Sequence, residues 1–173
     1  MPRRSRFPTL FLALAASLCV AIHSARAANP MPTGNTLAAQ QAAYDNAIDP
    51  VSRAKALARL EPGVFAQART TLNAGDDVGS LAQLEHYRDE TNVTVAALGT
   101  LSGNAADHPA GFKELQIALR EAARQMDTII SDLPLDKHPW FTAVRQDLVN
   151  DQDKLIDMLF PKQTHKSKNS PLS

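Results

Sequence analysis

The sequence predicts an all-α fold: an antiparallel bundle of three long helices completed by shorter N-terminal helices. Three observations carry it. Apolar residues recur three and four places apart from about residue 77 to residue 160. No alternating run of β-branched residues competes with that period. Glycine and proline cluster between the periodic stretches rather than within the longest of them.

The beginning of the chain reads as a leader. Arg3, Arg4 and Arg6 precede the apolar run from Phe7 to Ile22, which ends in Ala25-Arg26-Ala27. A basic start, a short apolar middle and small residues two apart make a cleaved secretory signal over residues 1–27. The run holds about 16 residues, short of the roughly 20 that span a bilayer, which weighs against an uncleaved anchor. Arg3-Arg4 invites a twin-arginine export reading, but Phe7 stands one place too far from the pair and Pro8 follows it. Cys19 follows Leu18 rather than the small residue of a lipoprotein signal, so it leaves with the leader.

Cleavage after Ala27 would leave residues 28–173 without cysteine, excluding a disulfide framework, a thiolate zinc site and covalently attached haem. Losing Arg3, Arg4, Arg6 and Arg26 would leave 14 Lys and Arg against 18 acids, a balance of −4. That excludes the basic face a nucleic-acid binder needs, and no later run is long enough for a membrane span. The expected location is the periplasm or the extracellular space.

Residues 28–35, with two prolines and a glycine, read as a linker. Residues 36–161 form the expected bundle. A first short helix over 36–48 offers Leu37, Tyr44 and Ile48. Asp49-Pro50 caps and starts a second that runs to about Leu60, where Glu61-Pro62-Gly63 breaks it. A further short helix carries Phe65, Ala68 and Leu72 to Gly75.

The first long helix, about 77–102, has the stripe Leu81, Leu84, Tyr87, Val95, Leu98 and Leu101 and ends at Gly103. Arg88 and Thr91 make its middle polar. The second is the clearest: Phe112, Leu115, Leu119, Ala122, Met126, Ile129 and Leu133 alternate threes and fours, with Lys113, Glu114, Arg120, Glu121, Arg124 and Asp127 off the stripe. The third, about 139–160, repeats this with Phe141, Val144, Leu148, Leu155 and Met158, except that Asp151 takes a seam position and Pro161 closes it. Connections of about six residues imply antiparallel neighbours. Residues 162–173 read as a disordered polar tail.

Candidate sites are few. His86 and Glu90 lie one turn apart and form the weak metal candidate, but a di-iron bundle needs Glu-x-x-His on two helices and the chain has none. Met126 and Met158 fall on seams, where methionine fills core space more often than it binds haem. No cofactor is expected. Asp107-His108-Pro109 and Lys137-His138-Pro139 start helices with proline at the first turn, and the aromatics after them should pin each corner; they belong to opposite ends of one helix and share no ligand. Asn92-Val93-Thr94 fits a glycosylation triplet but falls inside a helix. No nucleophile elbow, phosphate loop, dinucleotide fingerprint or His-Glu-x-x-His is present.

The polar waist is the most informative irregularity. Threading the three long helices up and down brings residue ~90 level with ~121 and ~150 (about half of each helix at 1.5 Å per residue), so Arg88 and Thr91 should approach Asp151. The pair would fix register rather than add stability, because desolvation offsets the attraction.

The segment Phe65 to Tyr87, with Ala68, Leu72, the Gly75-Asp76 turn, Leu81, Leu84 and Tyr87, resembles the junction between two tetratricopeptide units. No 34-residue period returns, so the likeness is one of helix-hairpin grammar.

The function expected is a non-enzymatic interaction or accessory module outside the cytoplasm, meeting another protein or a second copy through leftover apolar surface such as Ile117. The alternative is a bundle that binds a small ligand or a metal at its polar waist.

Overall fold

In a computed structural model the chain is described over residues 36–101 and 105–161. The expected leader, the linker, Gly103 and the polar tail lie outside the described residues. What is described is all helical, in five elements: α1 (Leu37–Asp45), α2 (Pro50–Asn73), α3 (Asp77–Gly99), α4 (Phe112–Asp132) and α5 (His138–Leu159). Among these residues no helix is long and apolar enough to cross a membrane.

Among the described residues four helices are long, not three. The expected break at Glu61-Pro62-Gly63 does not occur, and α2 runs through it for 24 residues. Proline costs one backbone donor, leaving the carbonyl of Ala58 without its helical partner. Burial on both sides outweighs that cost. Leu57, Leu60, Phe65 and Ala68 are all fully buried, and each large apolar side chain so buried contributes about 1.5–3 kcal/mol. Pro62 itself faces solvent. Gly63 serves packing instead of termination, since a Cβ there would come within 2.9 Å of Leu37 Cδ1 on α1.

Caps set the other boundaries. Thr36, Asp49 and Asp76 accept from the amides of Ala39, Ser52 and Gly79 and start α1, α2 and α3. The expected first helix stops at Asp45, three residues early, and Ile48 stands almost wholly in solvent. Before α4, Gly111 adopts φ +84° and its N–H donates to Glu114 Oε2 over 2.7 Å.

The contacts give the helices their directions. Phe65 meets Tyr87 edge to face at 6.0 Å, and Gln83 Nε2 donates to Thr71 Oγ1, so α2 and α3 run oppositely. Lys137 meets Asp77 and Arg88 meets Asp147, while a Cβ on Gly99 would touch Met158; α3 and α5 therefore run the same way. So do α2 and α4, from the closeness of Val51 to Gly111 and of Glu61 to Gln125. α2 packs on α3 and α4, and α5 packs on those same two.

The core fills the space between. Every residue expected on the α4 stripe is buried from Phe112 to Leu133, as are Phe141, Val144, Leu148 and Leu155 of α5. α1 straps α2 and α3: Tyr44 donates to the carbonyl of Glu90 or pairs with Thr94, and Arg53 stacks over the Tyr44 ring. Among the described residues nothing straps the face between α2 and α4 in this way.

Candidate functional site

A groove of about 570 Å³ runs along that face. Its floor is shallow because Ala58 of α2 and Ala118 of α4 are small, so the helices approach without filling the furrow between them. Ile117 stands over it, 44% exposed, where every residue of the α4 stripe is buried. Glu114, Arg120, Glu121 and Arg124 surround Ile117 with both signs of charge. A second groove of about 410 Å³ shares Ala58, Glu114 and Ile117 and adds Lys55 and Arg59.

Glu61 lies at the bottom of the larger groove, 2% exposed. Gln125 Nε2 donates to its Oε1 over 2.6 Å. Burial pushes its carboxyl up to about 7, the Glu121 carboxylate adds to this, and the Gln125 bond and Arg69 oppose it. The phenol of Tyr87 is fully buried, has no hydrogen-bond partner among the described residues, and is held well above its usual range by burial and then by Glu61. α2, α3 and α4 thus each bring a polar group to one level of the bundle.

The expected waist residues are placed differently. Arg88 does not reach Asp151. Its guanidinium binds Asp89 at 2.8 Å and Asp147 of α5 at 3.6 Å, staying partly in water at the bundle rim. Asp147 precedes Asp151 by one turn, and pairing at the rim spares the arginine the desolvation that a seam position would impose. Asp151 is wholly buried; Lys154, one turn on, donates to its Oδ1 over 2.7 Å, and Oδ2 has no partner. Thr91 is buried too, donating back to the carbonyl of Tyr87. These three residues make no single site.

His86 Nε2 lies 3.3 Å from Glu90 Oε1. The same oxygen accepts from Gln41 Nε2 at 2.6 Å, which ties α1 to α3. Burial raises the Glu90 carboxyl, against the Gln41 bond and His86. Among the described residues no group of three or more His, Cys, Asp or Glu is placed to hold a metal ion. Met126 is buried with the core and Met158 packs against it.

At the His-Pro corners Phe112 and Phe141 are buried, but Trp140 is 55% exposed beneath Lys137 rather than pinned to the core. Thr94 of the glycosylation triplet is buried and bonded to Tyr44.

The chain matches no protein-family model, no curated protein and no solved structure. The functional reading therefore rests on the geometry.

Sequence reasoning missed Glu61 and Gln125. The signal was present: Ala54, Leu57, Glu61, Phe65 and Ala68 keep steps of three and four. Reading Pro62 as a stop hid the carboxylate sitting in that seam.

Proposed function

We infer that this chain is an exported helical module that works by contact, not by turnover, and that a protein partner docks on the face between α2 and α4. The observation that carries this reading is Ile117. It is a large aliphatic side chain held out of the core in the N-terminal third of the protein's most regular amphipathic helix, over a groove with an alanine floor and a rim of mixed charge. An apolar centre with a polar rim is how protein–protein interfaces are built. Val93 is also exposed within a long helix, but the residues exposed around it, Asp89, Asn92 and Ala96, line none of the grooves described above. Export follows from the basic, apolar and small-residue order of residues 1–27.

A photoreactive residue at position 117 tests the reading in the cells that make the protein. Illumination should give one discrete adduct, with none from the same residue at Asp153, which is exposed on α5. Equal, diffuse labelling at the two positions would contradict it.

A second reading takes its support from Glu61. A buried carboxylate beneath an open groove, with Glu114 and Glu121 above it, suits a small organic cation. Calorimetric titration with a diamine near pH 8, compared with Glu61→Gln, tests that reading.

A further inference from the structure

We propose that the partner on this face presents an acidic protein surface, setting an apolar side chain against Ile117 and carboxylates against Lys55, Arg59, Lys113 and Arg120. The proposal rests on the contact reading above and names the chemistry of its occupant.

The helices carry their charges unevenly. α3 holds four acids against one arginine, and α5 holds four acids against two basic residues. α2 reverses the balance, with four basic residues against the single acid Glu61. The first half of α4 continues it. Lys113, Ile117, Arg120 and Arg124 follow at steps of four, three and four, which keeps them within about 60° of one another around the helix. All three of these cations are exposed. From α2, Lys55 and Arg59 line the groove of about 410 Å³ that they share with Glu114 and Ile117. Ile117 is thus flanked by basic side chains from two helices.

Off this face the cations are engaged within the fold. Arg88, Lys137, Arg145 and Lys154 pair with Asp147, Asp77, Asp127 and Asp151. Arg53 stacks over Tyr44, and Arg69 shares its groove with Asp77 and Asp132. Around Ile117 it is the acids that are engaged. Glu114 accepts from the N–H of Gly111, Glu61 accepts from Gln125, and Glu121 pairs with Arg124. Lys55, Arg59, Lys113 and Arg120 make no ion pair among the described residues.

Four such cations around an exposed aliphatic call for a partner of opposite sign with an apolar centre, since potentials across an interface are complementary. A continuous phosphate backbone would meet repulsion from Glu114 and Glu121, and a flat lipid surface would not enter the furrow. A protein surface can set its acids only where the cations are. Contacts of this kind at an exposed rim act on the rate of association and fade with salt.

Photo-crosslinking from position 117, in an extract of the producing cells, tests the partner's chemistry. The adduct should survive nuclease, and its linked peptide, sequenced by mass spectrometry, should hold a surplus of Asp and Glu within about four residues of the linked position, one helical turn. Raising NaCl from about 0.05 to 0.5 M should lower the yield several-fold. Lys113→Glu with Arg120→Glu should lower it about tenfold, and Arg59→Glu, on the other helix, several-fold. All three positions are exposed, and circular dichroism verifies that each variant keeps its fold. Undiminished yield in these variants, or a linked segment with no acidic surplus, overturns the acidic partner and leaves the contact reading standing. An adduct to nucleic acid or lipid, or no adduct at all, overturns both.

Discussion

Gln125 donates to the buried carboxylate of Glu61 across 2.6 Å, joining the middle of α4 to the middle of α2 beneath an open groove. That bond satisfies one oxygen of a group whose charge the surroundings resist. Glu61 therefore links the stability of the bundle to pH.

The sign follows from the direction of the shift. The folded protein holds the Glu61 proton up to about 7, against 4.5 for a free glutamate. Its contribution to stability is complete below the lower value and is lost as the pH rises through the upper one. A shift of this size corresponds to about 3 kcal/mol at most, and water in the groove reduces it to roughly 2 kcal/mol. Glu61→Gln keeps an acceptor for Gln125 and should raise urea stability by about that amount at pH 8.5, with little change at pH 4. Equal effects at both values would show that the group does not titrate between them.

Asp151 differs because nothing across the bundle depends on it. Arg88 is already paired with Asp89 and Asp147, and Lys154 is exposed enough to return to water. Replacing the buried carboxylate and its unpartnered oxygen with a hydrocarbon should help. Asp151→Leu is expected to raise stability by about 1–2 kcal/mol by urea unfolding. A loss of similar size would mean that the carboxylate has a partner that Lys154 does not represent.

Gly111 and Gly75 form a natural pair for testing backbone strain. Both have φ +84°. A Cβ on Gly111 would meet the backbone of Val51 at 3.1 Å, whereas one on Gly75 meets nothing within 4 Å. Gly75→Ala should cost about 1 kcal/mol, from the left-handed backbone alone. Gly111→Ala should cost roughly 2–3 kcal/mol, because the α2–α4 approach must open as well. Equal losses by thermal unfolding would remove the role assigned to the contact with Val51.

Much of the fold was legible because burial follows period. The α4 stripe from Phe112 to Leu133 is the buried face residue for residue, and Asp49-Pro50 and Pro139 mark helix starts. Threading put Arg88 and Thr91 at the level of residues near 150, and Arg88 does meet Asp147 of that region. What the sequence did not show was which way a side chain leans: Arg88 reaches the rim, while Asp151, one turn beyond its partner, stays inside. Pro62 misled because its cost is local and its compensation, the burial of Leu57, Leu60 and Phe65, is tertiary. Glu61 was lost to the same error. Ile117 was legible from the start as an aliphatic off the stripe, but the groove beneath it depends on Ala58 of another helix.

The most direct measurement of the contact face uses a single thiol. Cys19 is the protein's one cysteine, so a chain carrying Cys19→Ser and Ile117→Cys has its sole thiol on the proposed contact face. In the cells that make the protein, that thiol should be shielded from a maleimide reagent, while the matching Asp153→Cys thiol is alkylated freely. A thiol at position 117 that is alkylated as fast as the one at position 153 would contradict the account.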